Sequence, residues 1–536
     1  MARTVDAVVV GSGINGLVAA AYLAGAGWSV EVLERNEQAG GAIATEELTV
    51  PGYRHDTFSS WHPLFHLSAA YQELGDALAA RGLRYVNTDE QTTAGIGPEQ
   101  APVIAYRDPG RTAEGLLPAD GARYLAELER LGGRMPAIGE LLSLELHSGR
   151  AVRSAFGLAR SLGRREVAPF VSEVILSLRG WLHRFGGPEL ARLYTPWVLH
   201  TGMTPEQSGS GFSTLAIAGA LHAVGLPIVA GGASGFVDAI SRYITDHGGS
   251  VRTGCEVTEI SVCHDRAAGV RTADEEVLVR RGIVANVTPT QLYGRLLAPA
   301  SVPPAVAEEA ARYRYNARAG AQLHIALSEP PRWRDERLDT VPLVHINDGL
   351  DGVVLSCAQA AAGLLPARPT IACGQPTVLD PSRAPDGGAV LWIQLQEVPY
   401  APRLDAAGEI DVGPAGWDDA LTSAYADRII ARLAEHVTNL PEAIVGRRML
   451  SPVELERRNP NLVRGDIYSG DAELSQSYLW RPLPSFGSHA TPIDGLYHCG
   501  ASTFPGAGLN PASGRIAAQQ LLGAGRSRIT GWFDKR

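Results

Sequence analysis

Gly11, Gly13 and Gly16 follow the apolar run Val5 to Val10 and open an alanine- and leucine-rich stretch, Ile14 to Ala26. A buried strand, a glycine loop and a helix in that order make a site for an anion. Gly11 permits a tight turn, Gly13 lets backbone approach a pyrophosphate, and Gly16 lets the helix pack close to its strand. The first amides of the helix and the positive end of its dipole then face whatever the loop cradles. A second strand, Ser29 to Leu33, ends in Glu34, eighteen residues past Gly16. A carboxylate there accepts from a ribose hydroxyl and repels a 2′-phosphate. A glycine turn of purely structural origin is the alternative in a chain with 60 Gly. The strand before, the helix after and the spaced acid favour a dinucleotide.

A second glycine loop lies near the other end. Gly495 to Ala501 reads as a short strand, Phe504 to Pro511 as the loop and Ser513 to Leu522 as a helix. Its amide end would face an electron-rich group such as the N1 and C2-carbonyl side of a reduced flavin; an ordinary turn before a terminal helix is the alternative. Gly40-Gly41 would let the chain return past the dinucleotide. His62 and His66 lie four apart but lack an identifiable third metal ligand. His62 is a candidate base or orienting group against a default of a structural histidine. Arg481, beside Trp480, could face substrate or serve as a buried ion-pair partner.

These loops must be held by a sizeable scaffold. At 536 residues and 45% hydrophobic content the chain can build two to four domains. A formal charge of −10 argues against a nucleic-acid surface. Five scattered cysteines without a CxxC pair read as reduced core residues of a cytosolic protein. The N-terminus lacks the basic and apolar regions of a secretory signal, so a cytoplasmic location is expected. Ser208 to Val237 carries no charge, but its glycines, Pro227 and His222 favour a buried helix over 212–223 rather than a membrane span. Helical periodicity covers 71–80, 122–131, 151–185, 237–247 and 420–436, with residues 70 to 205 mainly helical. Strands are expected at 277–281, 283–285, 322–327 and 390–396, and 351–388 reads as exposed connection. The arginines of Ala151 to Phe185 suit a solvated helix face with an apolar core side, or else a peripheral membrane contact. Lys535 is the only lysine, so no interior lysine can form a Schiff base or hold a water against a flavin.

Taken together, Gly11-x-Gly13-x-x-Gly16, Glu34, Gly40-Gly41, Tyr53-x-x-Asp56, Gly231-Gly232, Asp380-Pro381-Ser382, Arg481-Pro482 and Gly495 to Gly508 resemble the phytoene desaturase family of the flavin amine oxidase-like superfamily. The resemblance runs through nearly the whole chain. It implies an α/β fold: a Rossmann-type FAD-binding domain assembled from 1–75, 225–300 and 453–536, with an inserted α+β substrate domain from 76–224 and 301–452. It also implies that Gly11, Gly13, Ile14, Asn15 and Gly16 hold the pyrophosphate with Gly40 and Gly41 nearby. Glu34 and the adjoining Arg35 would lie at the ribose, and Val257 would meet the adenine through its backbone. Gly500, Gly508, Leu509 and Asn510 would line the flavin.

The implied activity is an FAD-dependent dehydrogenase or desaturase that removes a hydride and a proton from a small apolar polyene, terpenoid or other secondary metabolite. No second strand-linked glycine fingerprint is present, so electrons would leave through oxygen, a quinone or another soluble acceptor. A reduced-flavin isomerase without net oxidation and a non-catalytic flavin-holding partner protein are the alternatives.

Overall fold

The computed structural model describes residues 3–523; Lys535 and the end of the third expected FAD segment lie outside the described residues. At the centre of one seven-stranded sheet lies Arg3–Val10. Val30–Leu33 pairs with it on one side and Glu276–Asn286 on the other, both parallel. Ser250–Arg252 extends the sheet beyond Val30–Leu33, and Leu496–Cys499 extends it beyond Glu276–Asn286. An antiparallel meander, Glu259–Cys263 and Arg266–Arg271, completes it. Five parallel strands thus end, at Val10, Leu33, Arg252, Asn286 and Cys499, on the same side of the sheet, the edge at which α/β sheets bind ligands.

Helices Ile14–Gly25, Ser234–Asp246 and Ala512–Gly523 cover one face, and their Leu17, Val18, Phe236, Ile240 and Ala517 share one core with Val9 and Val32. The first and last helices touch closely. A Cβ on Gly514 would stand 2.0 Å from the Asn15 carbonyl oxygen, and the Gly514 N–H donates to Asn15 Oδ1 at 2.8 Å.

The second seven-stranded sheet runs Ile444–Leu450, Ala319–Leu327, Ala389–Val398, Ile371–Gly374, Leu343–Ile346, Gln91–Ile96, Val103–Tyr106. Only the pairing of Leu343–Ile346 with Gln91–Ile96 is parallel. Its Leu323, Ile325, Leu391, Ile393 and Leu395 pack against Tyr425, Ile429 and Leu433 of helix Asp419–Ala434. On the other face Leu343, Ala372 and Trp392 share a core with Leu193 and Trp197 of helix Glu189–Leu199.

Several sequence expectations change. The strands expected at 277–281 and 283–285 are one strand, which passes a register shift after Val279 and resumes its pairing at Gly282 opposite Ala7. The region expected to be mainly helical also supplies the hairpin Gln91–Ile96 and Val103–Tyr106. That strand is read poorly from sequence because it buries Thr92, Thr93 and Gly95 rather than large aliphatics. Residues 351–388 are not exposed connection: they include helix Gly349–Ala361 and the interior strand Ile371–Gly374. The helix expected over 151–185 breaks at Gly163, φ 79°, into Gly149–Leu162 and Arg164–Val174, followed by Leu178–Leu182. The apolar side of the first two is only partly covered: Ala151 is buried and Phe170 packs edge-on against Phe212, but no residue of Arg164–Val174 is fully buried, and Val152, Phe156, Val171 and Ile175 are exposed. Among the cysteines, all free, Cys357, Cys373 and Cys499 are core residues, whereas Cys255 is half-buried and Cys263 exposed. No helix among the described residues is long and apolar enough to cross a membrane.

Candidate active site

One cavity of about 1710 Å³, its open mouth included, begins at the carboxyl ends of the parallel strands and extends beneath the second sheet. Gly11, Gly13, Ile14, Asn15, Glu34, Arg35, Gly40, Gly41, Val257, Gly500, Gly508, Leu509 and Asn510 all line it. Residues from both ends of the chain therefore share one space.

Steric fit explains the glycines. A Cβ on Gly16 would fall 2.2 Å from the Gly11 carbonyl oxygen, so Gly16 lies behind the loop and sets helix against strand. Gly41, φ 63°, brings its chain so near the loop that a Cβ would stand 2.9 Å from Gly13 Cα. Ser12, absent from the sequence expectations, joins these parts. Its wholly buried hydroxyl donates to Glu34 Oε2 at 2.7 Å and accepts from the Gly40 N–H at 2.9 Å. Asn36 N–H donates to the other Glu34 oxygen at 2.9 Å. Asn286, at the end of its strand, was also missed. With its amide oxygen turned to the loop it accepts from the N–H groups of Gly13 at 3.1 Å and Gly16 at 3.3 Å. Both were detectable in principle: Ser12 sits within the fingerprint, and Asn286 ends a strand beside the first.

The charged lining residues lie at one end. Arg35 approaches Glu256 at 4.0 Å and Arg295 approaches it at 2.8 Å, next to Val257. These pairs are half-exposed and contribute little to stability. A glycine cradle, a buried ribose acid and a helix amide end in one cavity fit the adenosine and pyrophosphate of FAD; the 500–510 turn beyond them fits its ring system.

His62 and Arg481 do not line the cavity. His62 is fully buried, its Nδ1 paired with the Tyr85 hydroxyl at 2.9 Å and its ring edge-on to Phe236. Burial pushes it down to about 4, so it is neutral. No cluster of three or more metal-ligating side chains occurs among the described residues, and His66 instead stacks on Tyr71 at 4.2 Å. Arg481 donates to three carbonyl oxygens: Ala501 at 2.7 Å, Tyr468 at 3.3 Å and Asp471 at 3.3 Å. It positions the C-terminal turn rather than offering a charge to the cavity.

The same turn is braced from behind. His489 Nε2 pairs with Phe504 O at 3.0 Å and Ser513 Oγ at 3.1 Å, and its Nδ1 pairs with Glu145 at 2.8 Å. Burial opposes the charge on Glu145, yet the His489 hydrogen bond and charge hold it at about 2, against 4.5 ordinarily. A carboxyl depressed on folding stabilises fully above its ordinary value and loses that contribution as pH falls toward its folded value. Thermal melts of the wild type and Glu145→Gln are therefore expected to differ at neutral pH and to converge between pH 4.5 and 2. A difference that stays constant across that interval counts against the brace.

The motifs Tyr53-x-x-Asp56, Gly231-Gly232 and Asp380-Pro381-Ser382 meet away from the cavity. Arg383, wholly buried, contacts Asp56 at 2.8 Å, Asp380 at 2.8 Å and the Val229 carbonyl at 2.8 Å. Asp56 also accepts from Thr45, Ser60 and the Ala233 N–H, and Asp380 from the Gly231 N–H. This ion cluster ties the turn at 229–234 to the Thr45–Asp56 hairpin and to the segment 380–383.

Comparison with known proteins agrees with this architecture. The chain is 27% identical over 557 residues to a subunit of the limonene dehydrogenase of Castellaniella defragrans, covering 96% of this chain and 94% of that one. It is 25% identical over 542 residues to the neurosporene-forming phytoene desaturase of Rhodobacter capsulatus, covering 96% and 93%. Among solved structures, cyclohexylamine oxidase from Brevibacterium oxydans IH-35A superposes with a TM-score of 0.58 at 15% identity, covering 98% of this chain and 100% of that one, a likeness of fold. Residues 14–522 match the family described as flavin containing amine oxidoreductase, so the chain belongs to that family: it is an oxidoreductase, and FAD is its cofactor.

Proposed function

We propose that the protein is a dehydrogenase or desaturase that takes a hydride and a neighbouring proton from a largely apolar terpenoid, polyene or other secondary metabolite and leaves a double bond. The observation that carries this reading is the single cavity, which continues past the glycine cradle and the 500–510 turn to a chamber under the second sheet. When bound, FAD supplies the hydride acceptor. The chain's own part is positioning and dryness. Gly11 to Asn15 hold the pyrophosphate, Glu34 the ribose and Gly500 to Asn510 the ring, while Phe58, Leu462 and Ile467 keep water from the reacting carbons. No lysine occurs among the described residues, which supports carbon–carbon dehydrogenation over the lysine-assisted chemistry usual in amine oxidation. Electrons then pass to oxygen, a quinone or another soluble acceptor.

Anaerobic mixing of the holoenzyme with terpenoid and polyene donors is expected to bleach the flavin band stoichiometrically. An oxidised band that persists against every donor sinks the reading, and a double bond that moves or flips without bleaching indicates an isomerase. For delivery of such a substrate we further propose that the face bearing Val152, Phe156, Val171 and Ile175, with exposed Arg153, Arg160, Arg164 and Arg165, rests on anionic lipid. The protein is expected to float with vesicles of anionic phospholipid and not with zwitterionic ones; flotation with neither rejects the contact.

A further inference from the structure

The chamber wall contradicts a purely hydrocarbon substrate. On Ala319–Leu327 and Ala389–Val398 the residues facing helix Asp419–Ala434 are aliphatic, while the opposite face presents Gln322, Gln394 and Gln396 to the cavity. Gln322 and Gln394 stand directly across from each other in the ladder. A sheet face evolved only to hold a greasy chain would carry apolar side chains, because a buried carboxamide without partners costs free energy.

The hydrogen-bond capacity of this wall is only partly used. Gln322 Nε2 donates to the Phe58 carbonyl at 2.9 Å, but its buried Oε1 has no partner among the described residues. Gln396 Nε2 donates to Gln394 Oε1 at 3.0 Å, which leaves the Gln394 amide N–H pair without a protein acceptor among the described residues. His200 and Tyr468 line the same space. His200 Nε2 meets His345 Nε2 at 2.9 Å, so one ring donates and the other accepts, and burial pushes His200 down to about 3 and His345 well below the ordinary value. Both are neutral. The charged lining residues among those described, Glu34, Arg35, Glu256 and Arg295, all lie at the ribose end.

We propose that the substrate carries, on an otherwise apolar skeleton, one neutral hydroxyl, whose oxygen accepts from the free Gln394 amide N–H and whose proton is donated to Gln322 Oε1. A hydrocarbon leaves those groups unpaired, and among the described residues no charged side chain lines this end of the cavity to pair directly with an ammonium or carboxylate. This rests on the dehydrogenase reading only for the identity of the site; recognition itself needs no turnover.

The test is binding to the holoenzyme, followed by perturbation of the oxidised flavin band. Skeleton-matched probes are limonene, perillyl alcohol and perillyl amine, and phytene with phytol. The alcohols are expected to bind at least about tenfold more tightly than their hydrocarbons, since a site built to pair a hydroxyl rejects the analogue lacking it. Perillyl amine, charged at neutral pH, is expected to bind more weakly than perillyl alcohol. In Gln394→Leu and Gln322→Leu the preference is expected to shrink to within about twofold as the unpaired amide is removed. Equal binding of hydrocarbon and alcohol, or binding of neither, overturns the proposal, and this comparison in the wild type needs no variant to fold. Variants that lose FAD or shift the ligand-free flavin band while keeping the alcohol preference would assign the wall to the cofactor and overturn it too. Alcohols that bind selectively yet never bleach the flavin would instead defeat the dehydrogenase reading and leave the recognition standing.

Discussion

Gly16→Val is expected to yield a protein that purifies nearly colourless and takes up FAD at least about a hundredfold more weakly than the wild type. Its Cβ would lie 2.2 Å from the Gly11 carbonyl oxygen, a contact that a real side chain cannot make, and 3.3 Å from Asn286 Cβ. Relief requires moving either the helix or the loop. The helix is held by Leu17, Val18, Ala20 and Leu23, all wholly buried, and the loop ends a central strand. Overpacking a rigid core typically costs about 1–3 kcal/mol and occasionally more; here the loop, being the less buried partner, yields and spoils the pyrophosphate cradle. Flavin absorbance per mole of purified protein, and calorimetric titration of the stripped protein with FAD, measure the effect. Undiminished flavin content would show that the cradle does not depend on this approach.

Arg383→Met is expected to lower stability by about 3–5 kcal/mol, the cost of breaking a buried ion pair and leaving its partner charged. Arg383 is wholly buried, and Asp56 and Asp380 have almost no exposed side-chain surface. Burial by itself raises the Asp56 carboxyl, but Arg383, Ser60 and the Ala233 N–H hold it below its ordinary value. The paired state therefore stabilises above that ordinary value and is lost on acidification, so the variant should show a weaker acid dependence than the wild type. Adding Asp56→Asn and Asp380→Asn to Arg383→Met is expected to recover part of the loss, because neutral amides replace unpaired charges. Urea midpoints at several pH values measure all three proteins. A variant as stable as the wild type would mean that the cluster does not brace the turn at 229–234.

What could be read from the chain alone follows from how locally each feature is encoded. Gly11, Gly13, Gly16 and Glu34 lie within one strand–loop–helix–strand unit, where backbone sterics and a helix end restrict both residue type and spacing. The helices at Ala69–Ala79 and Asp419–Ala434 were legible for the same reason, since a periodic apolar face repeats within a few turns, and Ser210–Val224 was legible as an uncharged apolar run. Strands Gln91–Ile96 and Ile371–Gly374 were not, because each is short, rich in small residues and stabilised by neighbours far away in sequence. Asp56 and Asp380 stood out as separate family motifs, yet their meeting on Arg383 spans 327 residues of chain in one contact.

The amino-acid sequence by itself determined the α/β class, the strand–glycine loop–helix unit with Glu34 at the end of the next strand, and the second glycine turn near the C-terminus, because each is written in contiguous residues whose stereochemistry admits few alternatives. Tertiary structure decided that these pieces open into one cavity, that Arg481 and His62 support rather than face it, and that carboxamides line its far wall. Those outcomes depend on which strand lies beside which and on which face of each strand turns inward. Long-range pairing settles both, and no local pattern encodes it.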